Sequence, residues 1–312
     1  ALYSSILGGT NNTVETNSTG SSIIGGCENN ISNSYAVIAG GQCNTGSGFG
    51  GFIGAGSNNW TNALYGVVVG GANNKNEGQK SFIGAGCNNE IDSSVNSAVI
   101  GGGWNNCVDT SYGFIGAGRN NIVCGDCSAI VGGCGNCIST AGDCGFIGGG
   151  LRNDVTGAGT TIAGGIDNCS QGNCSFIGGG NLNQATQDFT TVGGGYVNRV
   201  WAKYGSILGG SCNYVTAQSG SILGGYKNCV NHADSHIIGS QINSTTTCTT
   251  FVNNLYVTGS TSTNSLLTLA RLETTPGVEV LQTGSIFHSG SDGAGCLYFS
   301  PNGSTICKIS FA

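Results

Sequence analysis

The chain has 312 residues, of which 59 are glycine, 2 are proline and none is methionine, with charged residues at 8% and a formal net charge of −6. This recipe excludes an ordinary mixed α/β domain, collagen (no strict triplet of glycine) and a charged, proline-rich disordered tail. The 9 basic residues form no stripe able to neutralise phosphates, and no apolar run approaches the eighteen or so residues that cross a bilayer, so neither nucleic acid nor membrane insertion is expected.

From residue 1 onward the chain repeats. An aliphatic anchor recurs at Ile6, Ile23, Ile38, Ile53, Val68, Ile83, Ile100, Ile115, Ile130, Ile147, Ile162, Ile177, Val192, Ile207, Ile222 and Ile237, with twelve of the fifteen spacings at fifteen residues and three at seventeen. Position +2 from the anchor is always Gly or Ala, and +3 is Gly in every copy but the last, which has Ser240. Position +6 is always Asn: Asn12, Asn29, Asn44, Asn59, Asn74, Asn89, Asn106, Asn121, Asn136, Asn153, Asn168, Asn183, Asn198, Asn213, Asn228 and Asn243. Sixteen in-phase copies of [IV]-x-[GA]-G-x-x-N define an array and not a chance motif.

The columns have physical roles. Residues two apart on a strand point the same way, so a large anchor with a small +2 neighbour predicts a thin, filled interior. The +3 Gly reads as a corner at positive φ, and the Asn as a turn residue whose amide bonds backbone or stacks from coil to coil. A second apolar column at +8, including Val14, Ile31, Ile91, Val108, Val123 and Ile138, predicts two short strands per coil. All three two-residue insertions fall after the Asn and before the next anchor. The expected fold is an all-β parallel solenoid of about sixteen fifteen-residue coils over residues 1–248, about 75 Å long at the usual inter-strand spacing.

The anchor strand is also apolar on its outward side. Phe52, Phe82, Phe114, Phe146 and Phe176 precede the anchor in every second coil, and in those coils Gly follows it; Leu7, Ile24, Leu208, Leu223 and Ile238 follow the anchor in the end coils. A strand apolar on both faces expects a cover on both. The roughly 60 residues outside the repeat are too few to cover such a stripe, so these residues are expected at an interface with further copies of the chain, three-fold closure hiding one stripe per chain about an axis.

These motifs resemble the head repeats of trimeric autotransporter adhesins and, more closely, the S-x-I-x-G-G-x-x-N arrays of phage and viral tail-fibre proteins, with Ser4, Ser21, Ser81, Ser128, Ser175 and Ser235 in the small position two before the anchor. The resemblance spans about residues 1–248. It implies a left-handed parallel β-roll, a homotrimer and a fibre on the surface of a virion or outside a cell, with a cell-surface glycan or protein receptor as partner.

Beyond the repeat, residues 249–275 read as a threonine-rich neck, and 276–312 as a small β module that caps the stack or locks a trimer, with receptor contact at a fibre tip as the alternative. Its expected strands are Val278–Leu281, Ser285–His288 and the hairpin Cys296–Ser300/Thr305–Ile309 turning at Asn302-Gly303. The chain opens inside a repeat, which predicts a removed leader or a longer parent chain.

Sixteen cysteines suggest an oxidising compartment. The expected bridges are Cys296 with Cys307 across the hairpin, Cys127 with Cys144 in adjacent coils, then Cys27 with Cys43, Cys107 with Cys124, Cys169 with Cys174, and Cys212 with Cys229. Cys87, Cys134, Cys137 and Cys248 have no evident partner. The C-x-x-C pairs Cys124–Cys127 and Cys134–Cys137 lie in repeat loops without a histidine pair, so neither zinc nor another cofactor is expected. The 15 acidic residues are scattered, and glycine strings such as 116–121 precede no helix, so no enzyme is expected. A virion fibre leads, a cell-surface adhesin or self-assembling filament follows, and an ice-binding solenoid comes third, weakened by mixed residues around the second column where a threonine ladder would be needed.

Overall fold

The computed structural model describes residues 2–253 and four strands beyond them, Arg271–Leu272, Ser285–Ser289, Cys296–Ser300 and Cys307–Lys308. Two compact units divide at Asn253/Asn254. The expected neck and the strand Val278–Leu281 lie outside the described residues, as does the hairpin turn.

Unit one is a parallel β-solenoid, and no helix occurs among the described residues. Anchor strands, mostly two residues long, stack into a seventeen-stranded sheet running from Ser5–Ile6 to Thr250–Val252. The second apolar column forms a fifteen-stranded sheet from Thr13–Val14 to Cys229–Val230. Between them, single-residue parallel bridges at +4, such as Thr10 to Cys27 and Cys27 to Gln42, make a third, thinner ladder. Strand residues donate their N–H groups to the carbonyls of the next coil, as in Ile24 N to Ile38 O (3.0 Å) and Thr45 N to Asn59 O (2.9 Å), whereas corner residues donate back, as Tyr35 N does to Thr19 O (2.9 Å).

Register follows the columns: Ile83 lies beside Ile100 and Ile91 beside Val108, each seventeen residues away, so that insertion sits wholly between the second strand and the next anchor. The solenoid has one more turn than the anchors suggest. Ile237 pairs with Phe251, fourteen residues on, and the motif gave no sign of it because Phe251 lacks the Gly and Asn that follow every earlier anchor.

The core is the stacked columns of anchors and +8 residues, nearly all fully buried. Small residues at −2 complete it, and serine there serves the loop: Ser128 Oγ donates to Gly142 O and accepts from Gly145 N, both at 2.9 Å. The +2 column behaves otherwise than a filled interior requires. None of its residues is buried, and a Cβ built on Gly8, Gly25, Gly40, Gly209 or Gly224 meets nothing within 4 Å. The interior therefore does not force this position to be small.

Three columns carry positive φ, and Gly149, Gly179, Gly194 and Gly239 of the +2 column join them at 143–159°. At +3, φ lies between 86° and 107° in the fifteen glycines from Gly9 to Gly225, and a Cβ on Gly26 would stand 2.1 Å from Gly41 O, so glycine is obligatory there. The +5 and −3 columns are also left-handed, near 55°, but are filled largely by other residues, including Tyr35, Cys127, Arg152 and Val197. In the described part of unit two, Ser285–Ser289 and Cys296–Ser300 pair antiparallel, and Cys307–Lys308 pairs antiparallel with the latter.

Candidate interaction surface

The asparagine corner comes first because it sets the spacing of everything outside it. Fifteen asparagines, Asn12 to Asn228, form one chain of hydrogen bonds: the backbone N–H of each donates to the Oδ1 of the one before, at 2.9–3.1 Å. Each side-chain amide also reaches two carbonyls; the two hydrogens of Asn121 Nδ2 are shared among Ala117 O (3.3 Å), Gly133 O (3.1 Å) and Asn106 Oδ1 (3.1 Å). Asn243, expected as the sixteenth rung, is exposed and outside the ladder, because Ile242 N takes its place on Asn228 Oδ1 at 3.0 Å. The coil that carries Ser240 in place of Gly reaches its left-handed corner one residue early, at Gln241.

Outside this frame, the anchor sheet presents an apolar face. Phe52, Phe82, Phe114, Phe146 and Phe176 are 37–41% exposed, and Leu7, Ile24, Leu208, Leu223 and Ile238 are 46–70% exposed. The alternation of Phe with Gly has a cause within the chain. A Cβ on Gly54 would lie 2.3 Å from Val69 O, so only glycine fits, and it would stand 3.5 Å from Phe52 Cε1. Four of the five phenylalanines thus lean over the bare glycine two residues on; Gly84, Gly116 and Gly178 repeat the contact at 3.3–3.5 Å. Beside this face runs the open Gly/Ala column.

A second set of side chains also links coils. At −4, Ser34, Ser111, Asp143, Asn173 and Asp188 each accept the N–H of the residue one coil earlier, as Asp143 Oδ1 does from Asp126 N at 2.9 Å. No fixed residue marks this column in the sequence, where Phe49, Leu64 and Ala158 also occupy it.

All fourteen cysteines of the solenoid are free, and register separates two of the five pairs expected there. Cys107 pairs with Ile122 and Cys229 with Tyr214, so Cys124 and Cys212 stand two residues out of line with their expected partners. One coil rise plus two strand steps separates such Cα atoms by about 8 Å, beyond bridging reach. Cys43 Sγ instead donates to Glu28 Oε2 (3.2 Å), and Cys169 Sγ approaches Asp154 Oδ2 (3.9 Å), their column neighbours, rather than Cys27 and Cys174. Cys127 and Cys144 are in register on adjacent coils, and both are exposed thiols. In unit two, Cys307 faces Phe299 and Cys296 faces Ser289, so the hairpin does not set these two cysteines opposite each other.

Burial raises several thiols. Cys107, Cys137 and Cys169 are pushed up to about 11 by desolvation, with nearby carboxylates adding to it. Desolvation also raises Asp154, whereas Arg152 at 2.7 Å holds Asp167 below the usual carboxylate range.

No family model and no curated protein sequence matches this chain, so the fold and the surface columns are the ground on which its function is read.

Proposed function

We propose that the chain is a non-catalytic structural fibre protein that self-associates through the anchor face, as a homotrimer, and serves as a rigid spacer on a virion surface or outside a cell. The carrying observation is the largely apolar exposed face flanked by a column that is Gly or Ala in all sixteen repeats, although a Cβ on any of its glycines but Gly239 would meet no atom of the chain nearer than 3.6 Å. Backbone without side chains admits close approach by another chain. The face measures roughly 75 Å by 10 Å, or about 750 Å², more than the largest apolar patch of an ordinary monomer and near the ~800 Å² that each partner gives a stable interface. Three-fold association hides one such face per chain. The resemblance of the repeat to tail-fibre arrays supports the spacer role, and the polar outer side of the second sheet suits the solvent side of the assembly.

Sedimentation of the purified chain at micromolar concentration tests this reading, with a trimer expected. The double change Phe114→Asp, Phe146→Asp should give a folded monomer, and Gly132→Leu with Gly164→Leu should weaken association while leaving the melting of the dissociated chain nearly unchanged. A wild-type monomer would sink the proposal.

A further inference from the structure

On the outer face of the second sheet, two adjacent coils bring together three side chains that the fibre reading does not use. Arg199 and Trp201 flank the buried Val200, so they share the outward side, and Tyr214 lies beside Arg199 in register. The Arg199 guanidinium carbon is 5.9 Å from the Trp201 ring centre and 5.7 Å from that of Tyr214. The two rings are 5.9 Å apart and inclined at 61°. Arg199 Nε is shielded from water and has no hydrogen-bond partner.

This cation is also unneutralised. Lys75, Arg152 and Lys203 each sit on a carboxylate at 2.6–2.9 Å, and the ion pairs among the described residues do not include Arg199. A guanidinium resting against two rings is oriented before any ligand arrives, and its planar fork matches a carboxylate in two parallel hydrogen bonds. Trp201 is 44% exposed and offers an open ring to the C–H side of a pyranose.

We propose that Arg199, Trp201 and Tyr214 form a binding site for a carboxylate-bearing sugar, a sialic or uronic acid unit of a glycan. The guanidinium takes the carboxylate, Trp201 takes the sugar's apolar face, and Tyr214 holds the fork in place. An acidic peptide would use the charge and leave the indole idle, so the sugar accounts for more of the arrangement. No cavity opens among the described residues, so contact is on a flat surface and single-site affinity is expected near ~1 mM. In the proposed trimer three copies would act together, but the site itself lies within one chain and its test does not depend on association.

Saturation-transfer NMR of the full chain with 3′-sialyllactose and with glucuronic acid should show transfer to the acidic sugar, while lactose shows none. Tryptophan emission should shift on the same titration in wild type and in Trp60→Phe, and stay constant in Trp201→Phe. Arg199→Gln should weaken binding about tenfold or more, and Arg199→Lys should weaken it too because the fork is lost. Each variant should retain the wild-type melting temperature, as expected of surface changes. Equal transfer to lactose, equal affinity for polyglutamate, wild-type binding by a folded Arg199→Gln chain, or no transfer to either acidic sugar would each overturn the site.

Discussion

One amide per coil holds the corner, and its neighbours depend on it. Asn121 is fully buried, turns its two amide hydrogens toward three acceptors and accepts the Asn136 N–H at 3.1 Å. Asn121→Ala would strand several buried polar atoms at about 1–3 kcal/mol each. The expected outcome is a loss of at least ~3 kcal/mol in urea unfolding, with amide exchange at Asn136 and its neighbours accelerated first. The two adjacent glycines of a repeat make a sharper comparison. A Cβ on Gly133, at φ 93°, would lie 2.2 Å from Gly150 O, whereas the nearest atom to a Cβ on Gly132 is 3.8 Å away. Gly133→Ala should cost about 3 kcal/mol or more, and Gly132→Ala within about 0.5 kcal/mol, as read from thermal melting of the dissociated chain. The +3 glycine and the Asn were legible in the sequence because a single residue type satisfies each. The left-handed −3 column was not, since Tyr, Cys, Lys and Phe there carry no turn signature; at +5 Asn recurs in six coils, but Arg152, Leu182 and Val197 elsewhere break the signal.

Strands of two residues cannot stand alone; they persist because each is paired on both sides by coils in strict register. That register, invisible when cysteines are counted along the chain, decides their chemistry. Cys107, Cys137 and Cys169 share one column of the second sheet at intervals of two coils, separated by Ile122 and Asp154. Their folded-state values, near 11, stand above an ordinary value of 9.0, so the folded chain holds these protons more tightly than the unfolded chain. Their stabilising contribution is therefore complete below pH 9 and is lost as pH rises from about 9 to about 11. The urea midpoint should fall over that window, and fall less in a Cys107→Ser, Cys137→Ser, Cys169→Ser chain; an equal fall in both would remove the thiols from the explanation. At pH 8 the exposed Cys127, Cys144, Cys174 and Cys248 should alkylate with iodoacetamide ahead of these three, as peptide mass mapping would show.

Across the solenoid the two sheets differ in the residues they present outward. The anchor sheet is apolar outside as well as inside, and the second sheet carries Lys75, Glu90, Arg199 and Tyr214 on its outer side. Such asymmetry is what a protein meeting copies of itself on one side and solvent on the other requires. Raising salt should therefore tighten the proposed trimer, since its contact is apolar, and should weaken acidic-sugar binding at Arg199; sedimentation and NMR titration at low and high salt read the two responses separately.

By itself, the sequence determined the all-β solenoid, its coil length, its two strands per coil, the site of its insertions and the Asn corner. Each is a local requirement repeated in phase, and periodicity multiplies a weak local signal into a strong one. The tertiary structure alone decided the seventeenth turn at Phe251, the displacement of Asn243, the open +2 column and the separation of the cysteines expected to bridge. These depend on which residue of the next coil lies alongside, and a single missing or inserted residue moves that neighbour without altering the motif.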